Sequence, residues 1–236
     1  VCGYFQEKEH ENGGPQYSPP RDLEIFLNSG PKPVYLGFGS AVTKDGAEHT
    51  TLLLRAARNA GLRVVLLRGL GKGLGTQSED RTSWETFLRS DNSLPSPEDV
   101  YVGDFIPHGW LFPRCEFVVH QGVAGTTGSA ATAGVPTVVC PVEYDQYFWA
   151  GRAKQLGIAP VIVPAEDMTE EKLTAAFLEA TKVSVKVWRK PVCTVRCKGE
   201  KLNPIVVQLQ ARARALANAM RGEVGAEIAS EFIAQY

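Results

Sequence analysis

Residues 120–127 (HQGVAGTT) are the part of the sequence whose residue types and spacing best suit a binding site. An apolar run ends at His120, a glycine-containing turn follows, and small residues typical of a helix begin near Gly125. The backbone N–H groups and the dipole at such a helix start favour an anion, particularly a diphosphate. The hydroxyls of Thr126 and Thr127 would add hydrogen bonds, and His120 would donate one from a ring nitrogen. An ordinary helix cap beside a histidine with internal partners accounts for the same residues.

A second candidate follows the first apolar run of the core, residues 34–38, and includes Gly37, Gly39 and Ser40. Two glycines let a backbone pass close to a ligand, and a serine hydroxyl can bind a phosphate oxygen. A tight strand-to-helix turn that is capped by the serine is the competing interpretation.

A glycine-rich run, residues 69–75 (GLGKGLG), follows the second apolar run. A dinucleotide-binding fingerprint has the spacing G-x-G-x-x-G, lies after the first strand and opens a helix. Here the spacing is G-x-G-x-G-x-G, and no clear helix begins at its end. The sequence therefore predicts a flexible loop.

Asp145 and Gln146 come shortly after the apolar run at residues 137–140. A carboxylate and an amide side by side can accept hydrogen bonds from sugar hydroxyls and donate to them. Alternatively, Asp145 caps the helix that follows. The same lone pairs cannot serve both roles, so the geometry decides between them.

Short apolar strands alternate with helices along most of the chain. Strands are predicted at residues 34–38, 63–67, 100–105, 116–120, 137–140 and 159–163, and helices at residues 21–28, 47–60, 145–156, 169–181 and after Gly125. This alternation is typical of a mainly parallel sheet that is covered on both faces. The predicted fold is therefore doubly wound α/β, Rossmann-like, with its ligand at the carboxyl ends of the strands near the switch point.

The composition argues against several classes of protein. The 236 residues include 25 Lys and Arg against 26 Asp and Glu, and a net charge of −1 does not suit nucleic-acid binding through a basic surface. No apolar stretch reaches the roughly 18 residues of a membrane-spanning helix, and the polar first residues do not resemble a secretion signal. Five cysteines in a chain of this length do not suggest a disulfide scaffold, so we expect a cytoplasmic protein.

The segment FVVHQGVAGTTGSAATAGVPTVVCPVEYDQYFWAGRAKQLGIAP (residues 117–160) resembles the donor-binding segment of family 1 glycosyltransferases of the GT-B fold, and among them the sterol 3-beta-glucosyltransferases. Residues 17–40, 105–115 and 211–233 resemble the same family. The resemblance implies the C-terminal, Rossmann-like half of such an enzyme, which binds a UDP-sugar, usually UDP-glucose. It divides the chain into an interdomain linker and entry segment (1–32), the UDP-sugar-binding domain (33–200) and C-terminal helices packed on that domain (201–236).

The resemblance also implies three groups of site residues. The diphosphate would contact Gly39, Ser40, His120, Gly122, Gly125, Thr126 and Thr127; the uracil and ribose would contact Phe105, Pro107 and His108; and the sugar hydroxyls would contact Asp145 and Gln146. Stacking of the Phe105 ring on uracil would contribute about 1–3 kcal/mol. Neither a metal nor another cofactor is expected, because the helix start and its donors offset the charge of the diphosphate.

Three residues depart from the family's pattern. Gln121 replaces a second histidine, Val123 replaces a second glycine, and Tyr144 stands where glycine is more usual. Because valine does not readily adopt positive φ, we expect Val123 to alter the phosphate turn or weaken binding there. We expect Tyr144 to narrow the sugar pocket.

The resemblance begins in the linker of the GT-B fold, whose catalytic base and most of whose acceptor site belong to the amino-terminal domain. We therefore expect this chain to bind donor without transferring the sugar. The base and the sterol or other lipid acceptor would come with an N-terminal acceptor domain of the same or a partner chain. The full-length protein would be cytoplasmic and peripheral to membranes. A free-standing nucleotide-sugar-binding subunit and a degenerate, non-catalytic scaffold are the alternatives.

Overall fold

The apolar runs of the sequence form one parallel sheet. The computed structural model describes residues 17–38, 46–67, 81–103 and 105–188. Six strands in these residues pair in the order β3-β2-β1-β4-β5-β6, and every neighbouring pair is parallel. They are β1 (Val34–Leu36), β2 (Val64–Leu67), β3 (Val100–Gly103), β4 (Val118–His120), β5 (Thr137–Val139) and β6 (Val161–Ile162). The predicted α/β fold is confirmed.

Helices lie between the strands and on both sides of the sheet. They are α1 (Arg21–Asn28), α2 (Gly46–Asn59), α3 (Arg81–Ser90), α4 (His108–Leu111), α5 (Ala124–Ala133), α6 (Gln146–Leu156) and α7 (Glu170–Trp188). Gly134 and Gly157 end α5 and α6 in the left-handed conformation that glycine adopts without strain. None of the described helices is long and apolar enough to cross a membrane.

Helix α3 is an element that the sequence analysis missed. It begins at Arg81, six residues after the glycine-rich run at residues 69–75. Trp84 and Leu88, about one helical turn apart, are both buried in the core. This short apolar stripe, for which no helix was predicted, is enough to dock a helix on the sheet.

Both faces of the sheet are buried. Tyr35 and Val118 pack in a cluster with residues of α1 and α4, whereas Leu36 and Val119 pack on the other face with residues of α2 and α7. Strands that are covered on both sides need apolar residues at every position. This explains why the strands were recognisable as short uninterrupted apolar runs.

Strands β1 and β4 are neighbours in the middle of the sheet. The chain builds β2 and β3 on one side of β1, and β5 and β6 on the far side of β4. Leu36 pairs with Val119, and the Gly37 N–H donates to the Val119 carbonyl at 3.1 Å. In doubly wound folds the crevice at this reversal of strand order binds the ligand. Gly37 and His120 both lie there.

Some predictions concern residues outside the described part of the chain. These are Gly39, Ser40, the glycine-rich run at residues 69–75 and the C-terminal helices of residues 201–236. They and the domain limits at residues 32 and 200 stay predictions.

Candidate functional site

The side chain of His120 offers a buried hydrogen-bond donor. The residue ends β4 and is 1% exposed. Its Nδ1 accepts a hydrogen bond from the Gly122 N–H at 3.0 Å, whereas its buried Nε2 has no partner among the described residues. Burial, with a smaller contribution from His108, lowers the pKa of His120 to about 3, so the ring is neutral and its proton lies on Nε2. A buried N–H without an acceptor is costly, so Nε2 is a candidate for a ligand contact.

Gly122 makes the turn after β4 possible. Its φ is +97°, a region that L side chains rarely adopt. A Cβ at this position would lie 2.8 Å from Val139 Cγ1 and 3.0 Å from the backbone carbonyl oxygen of Gln146. Glycine is therefore required twice over, by backbone conformation and by space.

Val123 does not strain the turn. Its φ of −65° and ψ of 148° are extended values that valine adopts readily, and it stands at the N-cap of α5. The premise that position 123 needs positive φ is wrong, because in this turn Gly122 has the positive φ; weaker binding caused by Val123 stays a prediction. Val123 also brings no side-chain oxygen that could cap the helix.

The two threonines of α5 have different partners. The Thr127 hydroxyl donates to the Val123 carbonyl at 2.9 Å, so it cannot also donate to a ligand. The Thr126 hydroxyl has no hydrogen-bond partner within the described residues, and it is the better candidate for a ligand contact. A Cβ at Gly125 would meet no atom of the described residues within 4 Å.

The residues assigned to uracil lie at or just before the start of α4. Phe105 is 74% exposed, which leaves its ring faces accessible for stacking. Pro107 is the N-cap of α4, and His108, its first residue, stacks on Phe112 with ring centroids 4.4 Å apart. Burial lowers the pKa of His108. The charge of a protonated His108 ring would in turn lower the pKa of His120.

Asp145 presents its carboxylate at the start of α6. It occupies the N-cap position, but its side chain makes no capping hydrogen bond. The carboxylate is exposed, and its Oδ2 accepts a hydrogen bond from Trp149 Nε1 at 2.9 Å. The capping interpretation of this side chain is therefore wrong, and Oδ1 is available to accept from a ligand hydroxyl.

Gln146 is tied to the loop before α6. Its side chain is 4% exposed, and Oε1 accepts hydrogen bonds from the N–H groups of Val142 at 2.8 Å and Glu143 at 3.2 Å. The carbonyl end of this amide therefore serves the loop. Only the NH₂ end could contact a sugar.

Tyr144, between the loop and Asp145, adopts φ of +54° and is 84% exposed. It is the one non-glycine residue with positive φ in the described part of the chain. Glycine is the residue that adopts this conformation without strain. The conformation thus gives a physical reason for the family's preference for glycine at this position.

Sequence reasoning missed Tyr35, in the middle of β1. It is 2% exposed, and its hydroxyl lies 3.2 Å from His108 Nε2. A Cβ on Gly37 would collide with this hydroxyl, so Gly37 makes room for Tyr35 rather than for a ligand. A phenol inside an otherwise apolar strand was the signal in the sequence, because a buried hydroxyl needs a partner.

Residues 88–187 match a family described as the C-terminal domain of erythromycin biosynthesis protein CIII-like proteins. Plant and fungal relatives include several sterol 3-beta-glucosyltransferases. One of them, UGT80A2 of Arabidopsis thaliana, is 36% identical over 162 residues, which make up 68% of this chain and 23% of that protein.

Solved structures show the same fold. The glycotransferase of kitacinnamycin matches with a TM-score of 0.62 at 20% identity, over 100% of this chain and 48% of that one. Arabidopsis thaliana UGT89C1, complexed with UDP-L-rhamnose, matches with a TM-score of 0.56 at 18% identity, over 90% of this chain and 46% of that one. By the family match, the relatives and the fold together, the chain belongs to the GT-B glycosyltransferases.

This glycosyltransferase chain corresponds to the C-terminal domain of its relatives, and the predicted family and fold are confirmed. It spans about a quarter of the length of the plant sterol glucosyltransferase and about half of the two solved chains. The roles of the individual site residues stay predictions.

Proposed function

We propose that this chain is the donor-binding half of an inverting, UDP-sugar-dependent glycosyltransferase that transfers glucose to the hydroxyl of a sterol or another lipid. The plant and fungal relatives are named as sterol 3-beta-glucosyltransferases, and a structural neighbour is complexed with a UDP-sugar. Its location would be cytoplasmic, at the periphery of membranes in the full-length enzyme.

The observation that carries the proposal is the Nε2–H of His120. It is a neutral, buried donor without a partner among the described residues, and it lies at the switch point of the sheet, close to the start of α5. A diphosphate would accept this hydrogen bond together with one from the Thr126 hydroxyl, and the partial positive charge at the start of α5 would favour its negative charge. Such donors would also stabilise the negative charge that develops on UDP as it leaves.

The remaining groups would orient the two ends of the donor. The exposed ring of Phe105 would stack on uracil, with His108 beside it. The Asp145 carboxylate would accept from sugar hydroxyls, and the NH₂ group of Gln146 would donate to them. An acceptor hydroxyl would then attack the anomeric carbon from the face opposite UDP, with inversion. Its proton would go to a base in the N-terminal acceptor domain.

Calorimetric titration with UDP, UDP-glucose, UDP-L-rhamnose and NAD⁺ tests the proposal. Two variants separate the functions of the two ring nitrogens of His120. His120→Asn keeps an acceptor near Nδ1 for the Gly122 N–H and removes the Nε2 donor, whereas His120→Gln keeps a donor near Nε2. Because a hydrogen bond to a charged group contributes about 1.5–3 kcal/mol, we expect His120→Asn to weaken UDP binding by about 10- to 150-fold. His120→Gln should lose less.

Thr132→Val is the matched control. Thr132 lies in the last turn of α5, and its buried hydroxyl also has no partner among the described residues. Its removal should leave UDP affinity unchanged. Failure of the wild-type chain to bind any uridine nucleotide, or equal UDP affinity of His120→Asn and wild type, would contradict the proposal. Binding of NAD⁺ in place of UDP would point to a dehydrogenase-like domain.

A further inference from the structure

The hydroxyl of Tyr35 joins the middle of β1 to the start of α4. It lies 3.2 Å from Nε2 of His108, a residue 73 positions away in the chain. Within the described part of the chain, the buried Tyr35 hydroxyl forms this hydrogen bond. The contact therefore links β1, which ends at the switch point, with His108, which is assigned to uracil.

Ring packing restricts both partners to one arrangement. Phe112 stacks on His108 with centroids 4.4 Å apart and planes 15° apart, and it meets Tyr35 edge-on at 5.0 Å and 67°. The Tyr35 and His108 rings are themselves nearly perpendicular, at 5.6 Å and 81°. Stacking holds the plane of the imidazole, and the hydrogen bond holds its rotation within that plane.

Both groups are neutral, and this decides the direction of the hydrogen bond. Burial raises the pKa of Tyr35 and lowers the pKa of His108. A phenol is a stronger acid than a neutral imidazole N–H, and an imidazole nitrogen is a stronger base than a phenol oxygen. The Tyr35 hydroxyl therefore donates to Nε2, and the proton of the neutral His108 ring lies on Nδ1.

We propose that Tyr35 is a positioning residue for nucleotide recognition, because its hydrogen bond makes Nδ1 of His108 the donor that faces uracil. An N–H donor suits the carbonyl oxygens of uracil. This inference rests on the proposed function for the identity of the ligand, whereas the Tyr35–His108 bond can be tested without a ligand.

Gly37 supports the same arrangement from the other side. A side chain at this position would collide with the hydroxyl and the ring of Tyr35. Glycine directly after β1 therefore leaves the phenol the space from which it reaches His108. Gly37, at the switch point, thus supports the proposed uracil site through Tyr35.

Nitrogen NMR of the histidine side chains tests the bond directly. In the full 236-residue chain labelled with ¹⁵N-histidine, the signals of His108 are those lost in His108→Gln. We expect a protonated-type shift for Nδ1 and an unprotonated-type shift for Nε2 in the wild type. In Tyr35→Phe the two shifts should move towards each other as both tautomers become populated. A protonated Nε2 in the wild type, or unchanged shifts in Tyr35→Phe, would overturn the inference.

A double-mutant cycle on UDP affinity tests the consequence. Loss of one neutral hydrogen bond should weaken UDP binding about fivefold in Tyr35→Phe. If Tyr35 acts through His108, the same change in a His108→Ala background should cost nothing further. An equal loss in both backgrounds would show a merely structural effect and overturn the inference.

Tyr17→Phe is the matched control. The Tyr17 ring packs edge-on against Trp110 of α4 at 5.3 Å, and its buried hydroxyl has no partner among the described residues. Its removal should leave UDP affinity unchanged, and a fivefold loss would contradict the assignment to Tyr35. If the wild type does not bind UDP, the proposed function fails, and the NMR spectra alone decide whether Tyr35 holds the tautomer of His108.

Discussion

His120 shows how one side chain can serve the fold and a ligand with different atoms. Nδ1 accepts from the Gly122 N–H and so stabilises the turn after β4. Nε2 points its proton to a place where the described chain provides no acceptor. Because the two nitrogens have separate partners, a substitution can remove one function and keep the other.

The burial of His120 predicts a dependence of stability on pH. In the unfolded chain an imidazole binds a proton below about pH 6.5, whereas the folded ring stays neutral down to about pH 3. The unfolded state therefore binds more protons, so the free energy of unfolding falls as the pH drops below about 6.5, by about 1.4 kcal/mol per pH unit. Denaturant unfolding should show a loss of about 2 kcal/mol between pH 7 and pH 5.

His120→Asn is the control for this dependence, because asparagine does not titrate in this range. Burial also lowers the pKa of His108, so in the variant the free energy of unfolding still falls with decreasing pH, but less steeply. Equal slopes for the wild type and the variant would show that His120 is not neutral in the folded chain.

The backbone of Tyr144 predicts a stabilising substitution. A non-glycine residue in the left-handed region costs roughly 1–2 kcal/mol, part of which glycine recovers after its own loss of entropy. We expect Tyr144→Gly to raise the free energy of unfolding by about 0.5–1 kcal/mol, as measured by urea denaturation. Phe148→Gly, at an exposed position inside α6, should instead lower it by about 0.5 kcal/mol. A loss in both variants would contradict the strain at Tyr144.

At the scale of elements, the junction of β5 and α6 depends on one buried amide. Gln146, the first residue of α6, reaches back to two N–H groups of the loop that precedes it. Its own carbonyl oxygen also lies close to Gly122. This helix start therefore connects the sugar side of the candidate site with the phosphate turn.

Replacing that amide should destabilise the junction. Gln146→Leu would leave the Val142 and Glu143 N–H groups without their acceptor, and we expect a loss of about 2–4 kcal/mol in urea denaturation. Gln146→Glu keeps two acceptor oxygens and should lose less. Equal stability of the leucine variant and the wild type would show that water satisfies the loop.

Sequence alone was sufficient for the elements whose signal is local. Six apolar runs became six strands, and helix α1 has the predicted bounds, because apolar periodicity and glycine punctuation act over a few residues. Specific side-chain contacts, whether within a loop or between distant segments, were not predictable in this way. The commitment of Gln146 Oε1 to its loop and the pairing of Tyr35 with His108 depend on side-chain geometry that no spacing rule contains.

At the scale of the whole molecule, the chain corresponds to part of longer glycosyltransferases. It spans about half of the solved GT-B chains that it matches and about a quarter of the plant sterol glucosyltransferase. In our proposal, the carboxyl ends of β1 and β4 line one side of the donor site, and catalysis needs a second domain that carries the catalytic base.

We expect the chain alone to bind UDP-glucose without transferring the sugar to a sterol. Sterol glucoside should form only after addition of the N-terminal part of a relative such as the Arabidopsis thaliana enzyme, which would supply the base and acceptor site. Radiolabelled UDP-glucose and extraction of the lipid product provide the measurement. Glucoside formed by the chain alone, and lost in His120→Asn, would show that a base lies within these 236 residues.

The turn between β4 and α5 also bears on how such chains are recognised in genomes. Only glycine fits at position 122, because its positive φ and its close neighbours both exclude a side chain. Position 123 has ordinary extended values and holds a valine here. A signature that demands glycine at both positions would discard sequences with an intact turn. One that demands it only at the first would retain them.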